Sequence, residues 1–224
     1  MRNTRNYRPT IGKKWTATRV MSVQDALDMG KIMFSANERG NDSVLAYIDF
    51  DEALTVCNTI IGGSFSAAFP ANETRAGIAV SGKFTNYGGT KNSARYNGGA
   101  ESRIIEIIAG VQEGLPKWAI SVRNSEGQVI EKTGMISPKT GANVITQTVY
   151  FTHEEMIRLV SKIRLHVEAY YINHLEELYD ENGEWSTERR LDIFATESAK
   201  NYDAKKKNES LVNETESGST SIKL

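Results

Sequence analysis

The chain has 224 residues, 39% hydrophobic and 25% charged, with a formal net charge of −1 and a single cysteine. That length and apolar share suit one substantial domain, or two small ones, with a buried core. Lone Cys57 excludes an internal disulfide and any multi-cysteine zinc site, and no apolar run approaches the roughly 18 residues that span a bilayer, so no membrane partner is expected.

The opening M-R-N-T-R-N-Y-R-P-T is basic but lacks an apolar h-region, so it does not read as a secretory signal. The N-x-S/T triplets at Asn41, Asn72, Asn208 and Asn213 then read as chance, and the expected compartment is a reducing cytoplasm. The near-neutral total hides an uneven distribution. Residues 1–20 carry six Lys/Arg and no acids, residues 76–140 eight against five, and residues 152–200 six against eleven, giving +6, +3 and −5. Neutral overall charge therefore leaves room for a local polyanion site.

Residues 1–20 read as a basic N-terminal arm, 21–200 as an α+β domain, and 201–224 as a polar tail too poor in apolar residues to order itself. Ser22 to about Ala36 shows helix-like spacing at Val23, Ala26, Leu27 and Met33, broken by Gly30; around Lys31–Ser35 a strand is the alternative. Ser43–Ile48 reads as a strand that runs into D-F-D-E, followed by Ala53, Val56, Cys57, Ile60 and Ile61 on one helical face. Gly62-Gly63 stops that helix. Ala76–Phe84, Ser102–Ala109 and Trp118–Arg123 read as strands, with Asn124–Gly127 as a turn. Both Ile105 and Ile107 interrupt the alternation of Ile104, Glu106 and Ile108, which suits a strand covered on both faces.

Asn143–Phe151 repeats the earlier grammar. A strand meets T-H-E-E, and Met156, Leu159, Val160, Ile163 and Val167 follow on the apolar face of a long helix from Glu154 to about Leu178. In each case Asp or Thr can accept from the open N–H groups while the Glu three residues later reaches back. The two units could be a duplication, although the segments before them do not align. The fold class is α+β: a mostly antiparallel β-sheet with capped helices following strands and a long C-terminal helix.

Several chemistries find little support. Gly77–Phe84 matches a phosphate-binding loop until the eighth position, where Phe84 stands instead of a magnesium-binding hydroxyl, and loop chemistry follows where a helix should start. His153, His166 and His174 lack metal-ligand spacing. Cys57 lies on an apolar helix face, where thiols are inert, and the carboxylates between Glu168 and Glu188 read as a solvated helix end. No catalytic residue, metal or cofactor is assigned, and the chain does not read as an enzyme.

The strongest functional lead is K-F-T-N-Y-G-G-T-K-N-S-A-R-Y-N-G-G-A-E-S-R, from Lys83 to Arg103. Its cations can neutralise phosphates and its rings can stack on exposed bases. Tyr87 and Tyr96, flanked by Gly and Asn, are expected in solvent; Trp118 and Phe34 are expected in the core, since a cation beside a ring on a strand points to the opposite face.

The order of strands and capped helix, ending in N-V-I-T-Q-T-V-Y-F-T-H-E-E-M-I-R-L-V-S-K-I, resembles the Whirly and PC4-like single-stranded-DNA-binding group, including phage and mobile-element proteins, over about residues 43–172. The first unit, A-Y-I-D-F-D-E-A-L-T-V-C-N-T-I-I-G-G, is similar to the same strand–helix junction. The K-G-K-A-A-L stretch of plant Whirly proteins is absent. The resemblance implies binding of single-stranded DNA, or RNA, on a sheet face and its hairpins through Lys83, Phe84, Tyr87, Lys91, Arg95, Tyr96 and Arg103, with Lys117 and Arg123 extending the track. It also implies homo-oligomers and a place in replication or recombination. The alternative reading is a structural or protein-interaction module.

Overall fold

A computed structural model describes residues 8–26, 29–38 and 43–174. Contacts divide the chain into two units, Met1–Ala26 with Lys31–Tyr170, and Leu27–Gly30 with Tyr171–Leu224. The architecture below belongs to the first; of the second, the described residues are Met29–Gly30 and 171–174. No helix among the described residues is long and apolar enough to cross a membrane.

Four antiparallel strands open the chain as a meander: β1 (Thr10–Trp15), β2 (Arg19–Ala26), β3 (Lys31–Glu38) and β4 (Val44–Asp49). Residues 10–15 of the expected basic arm are thus an edge strand. The helix expected over 22–36 is two strands with a corner at Gly30, whose φ of +66° is left-handed. Val23 and Ala26 fit a helical stripe by spacing, but Met21 and Val23 alternate inward on β2 and face Ile32, Phe34 and Ala36 of β3, a burial that helix spacing cannot supply.

Helix α1 (Phe50–Ile61) follows β4 directly, and α2 (Phe65–Ala68) is a single turn beyond it. Only half of the first capping box forms. The Glu52 carboxylate accepts from the Asp49 backbone N–H, whereas the Asp49 side chain makes no cap bond. Gly63, with φ of +71°, ends α1 as expected.

The second sheet runs β10-β8-β7-β6-β5, built from β5 (Pro70–Arg75), β6 (Ile78–Thr90), β7 (Glu101–Gln112), β8 (Leu115–Val129) and β10 (Val144–Thr152), with β9 (Ile136–Pro138) paired to β8. Two tight hairpins connect it, each with two left-handed residues, Ala76-Gly77 and Glu113-Gly114. The expected turn at 124–127 is instead part of β8, where Asn124 is buried and hydrogen-bonded across strands to Glu101. Gly77–Phe84 likewise leads into the extended strand β6, not a phosphate loop capped by a helix. Residues 104–110 of β7 are buried on both faces, as their apolar run implied.

Helix α3 (His153–Asn173) closes the order. Its capping box is complete: Glu155 N–H donates to Thr152 Oγ1 at 3.2 Å, and Thr152 N–H donates to Glu155 Oε2 at 2.9 Å. Continuation of this helix to Leu178, and the tail from 201, lie outside the described residues. The inward faces of both sheets meet α1 and α3. Phe34, Ile48, Val56, Ile107, Ile120 and Met156 surround one apolar gap of about 10 Å³.

One irregularity decides which residues β6 shows to solvent. Val80 pairs with Gly110 and Gly82 with Ala109, leaving Ser81 as an extra, bulged residue. Before it, Ile78 and Val80 take the outer side of the sheet, where they form a buried apolar cluster with Ile108 and Ala119 and are covered from solvent. Beyond it, Lys83, Thr85 and Tyr87 take the outward side, opposite Ile108, Glu106 and Ile104.

Candidate nucleic-acid interface

Cross-strand partners share a face, so the register alone assembles the outer surface of the second sheet. One row crosses the strands as Tyr87, Ile104, Arg123 and Thr146. The next is Thr85, Glu106, Ser121 and Thr148, and the third Lys83, Ile108, Ala119 and Tyr150. Lys117 stands opposite Thr152 at the end of the face. Two of these rings are open to solvent, Tyr87 at 59% exposure and Tyr150 at 38%.

The centre of the face is a two-arginine clamp. Glu106, its side chain only 7% exposed, receives Arg75 Nη1 at 2.7 Å and Arg123 Nη2 at 2.8 Å. A carboxylate shared this way fixes both guanidinium planes and leaves their remaining N–H groups for other acceptors. Lys83 is paired with Glu73 at 2.9 Å. Lys117 Nζ lies 6.0 Å from the Tyr150 ring centroid, a cation–π contact on the outer side of β10. Thr148 and Ser121 bond hydroxyl to hydroxyl at 3.0 Å between them.

Of the residues expected to bind, Lys83, Tyr87, Lys117 and Arg123 therefore share this face. Phe84 does not. It points inward, is buried, and meets Phe69 edge-on at 5.2 Å, so its ring cannot stack on a ligand. Arg103 is also on the opposite side, where its Nε (3.1 Å) and Nη2 (2.7 Å) both donate to Glu101 Oε2. Arg95 is fastened elsewhere too, donating from Nη2 to the Ser43 carbonyl at 2.6 Å and from Nη1 to Glu101 at 3.5 Å. The expected single surface of Lys83, Lys91, Arg95 and Arg103 is not formed.

The loop carrying Lys91 and Tyr96 is folded on itself. Ser93 N–H donates to the Gly99 carbonyl, Gly98 N–H to the Ser93 carbonyl, and a 3-10 turn spans Ala94–Tyr96. Buried Glu101 holds this loop together. Burial opposes its ionisation, but hydrogen bonds from Asn124, Arg103 and Ser93 win and keep the carboxyl below its ordinary range. Lys91 is exposed at the tip, and Tyr96 is half-buried.

Arg75 and Tyr150 were not among the sequence candidates. Neither follows a motif; both depend on which strands become neighbours, which spacing along the chain does not encode. Among the described residues no three His, Cys, Asp or Glu side chains group as metal ligands. His153 Nδ1 accepts from Trp118 Nε1 at 3.2 Å, and His166 Nε2 meets Asp25 at 2.9 Å. Burial pushes the Cys57 thiol up to about 12, which keeps it protonated.

No family model matches the chain, and no curated protein matches it. Two solved structures are similar in chain trace. The plant transcriptional regulator PBF-2 has a TM-score of 0.41 and 10% identity over 77% of this chain and 89% of its own. WHY1 from Arabidopsis thaliana has a TM-score of 0.37 and 8% identity over 76% of this chain and 92% of its own. Likenesses this distant carry no argument about ligands, and the functional reading rests on the sheet face itself.

Proposed function

We propose that the outer face of the second sheet binds single-stranded nucleic acid, with DNA as the favoured ligand. One observation carries this: Tyr87, Tyr150, Lys83, Lys117, Arg75 and Arg123 share one surface because of strand register. Phosphates would lie on the lysines and the arginine clamp, and bases would stack on the two tyrosines. Nothing on this face presents a row of amides aimed at base edges, so sequence readout would be slight. Low specificity suits covering exposed strands during replication or recombination in the cytoplasm, and a homo-oligomer would multiply the face. Glu73 and Glu106 offset two of the four cations, which is what favours the rival reading, a protein-interaction surface.

Fluorescence anisotropy with single- and double-stranded oligonucleotides across a salt series tests the proposal. Two to four neutralised phosphates give a slope of log K against log salt between about −1.4 and −2.8 for single strands. Tyr87→Ala with Tyr150→Ala should remove about 1–3 kcal/mol for each lost stack. Absence of single-strand binding at low salt would overturn it.

A further inference from the structure

We infer that the groove between β1 and α3 is a second contact for the same strand, seating one base and its phosphate; this rests on the proposed single-strand binding. Along β1 alternate residues face α3. Gly12 does so closely enough that a Cβ there would lie 2.7 Å from Leu159 Cδ1. Beside that contact opens a cavity of about 160 Å³. Its floor is Met21, Val23, Phe151 and Leu159, all buried. Its rim carries the side chains of Lys14, Arg158 and Lys162 against one carboxylate, Glu155, while Lys13 lines it beside Gly12 but points to the other face of β1.

That carboxylate is already engaged. One oxygen takes Lys14, whose Nζ is also 6.0 Å from the Phe151 ring centroid, and the other takes the Thr152 N–H. Arg158 has a loose, exposed pair with Glu154 at 3.6 Å. Lys162 has no ion pair among the described residues. A formal +2 therefore surrounds an apolar floor, and such a site takes an anion attached to an apolar ring. The volume is well below the roughly 300–1,000 Å³ of pockets that enclose a whole small ligand. It suits one ring of a longer molecule.

The groove and the outer face meet across a single strand. Phe151 of the groove floor directly follows Tyr150 of the outer face, and Thr152, at the same end of β10, is paired with Lys117. β10 is the edge of its sheet. A flexible polyanion on Lys117 and Tyr150 reaches Lys14 and Lys162 by bending around that edge, with a phosphate on the rim and its base against Phe151 and Leu159.

The full chain is titrated with labelled oligothymidylates of about five and about thirty nucleotides, short enough for one patch and long enough for both. Arg158→Glu with Lys162→Glu should weaken the long strand at least tenfold and reduce its salt slope by about 1.4, that is two phosphates. The short strand should change less than twofold, and circular dichroism should report an unchanged fold. Wild-type affinity for both lengths in this variant, with loss in Tyr87→Ala, overturns the groove contact and leaves the outer face standing. Unchanged affinity together with a shift in sedimentation also overturns it, making the groove a contact between copies. No binding of either strand by the wild type removes both readings.

Discussion

Glu106 sets the electrostatics of the proposed face more than any single cation does. Both of its arginines are about one-third exposed, so solvent reduces what the pairs contribute, and Glu106→Gln should cost about 1–2 kcal/mol rather than the larger loss of a fully buried pair. The same change should strengthen single-strand binding and steepen the salt slope by about 0.7, because one more cation is left to neutralise phosphate. Urea melts and anisotropy on one preparation separate the two effects. Phe84 behaves in the opposite sense. Its ring is buried against Phe69, so Phe84→Ala should remove about 3–4 kcal/mol of stability, while oligonucleotide affinity measured well below the melting temperature stays at the wild-type value.

At the scale of elements, the strand–helix junctions were legible because local chemistry specifies them. A β-branched run followed by Thr152, Glu155 and an apolar stripe leaves α3 little alternative. Where the sequence misled, long-range pairing decided. Asn124–Gly127 has the composition of a turn, yet Asn124 is held in β8 by buried Glu101, a partner 23 residues away. The candidate face was half legible for the same reason: Lys83 and Tyr87 lie on one strand, but their companions Arg75 and Tyr150 arrive from β5 and β10. The hairpins yield a prediction of their own. Ala76 and Glu113 sit at φ of +49° and +52°, a region unfavourable to both residues. Ala76→Asn should raise stability by about 0.5–1 kcal/mol, read as a higher urea midpoint with an unchanged m-value.

Across the whole molecule, two carboxylates tie distant parts together and make folding pH-dependent. Glu155 is held below its ordinary range first by its bond from Lys14 and then by the Thr152 N–H; Glu101 is lowered by Asn124, Arg103 and Ser93, which outweigh its burial. Both have depressed folded values, so their stabilisation is fully present above the ordinary value of 4.5 and is lost as pH falls through the lower folded ones. Urea melts from pH 7 down to about 3 should show that loss below 4.5. Glu101→Gln should be less stable at pH 7 and lose less on acidification. An unchanged acid limb in that variant would refute the assignment.

The extra residue in β6 gives this chain a strand written in two phases. A strand carries its side chains in strict alternation, so every position beyond Ser81 owes its side of the sheet to that residue standing outside the ladder. Drawing Ser81 into the ladder while keeping the upstream pairing would exchange the two sides: Phe84 would emerge opposite Glu106, where Thr85 now stands, and Lys83 and Tyr87 would turn toward the core. Such a slip would act on the surface like a simultaneous substitution of the whole row. Deleting Ser81, by contrast, would leave the present pairs and sides in place. In evolutionary terms, loss of this one codon is tolerated by the register, while pairing of Ser81 is not, which makes the bulge, rather than the length of β6, the feature that the faces of this strand depend on.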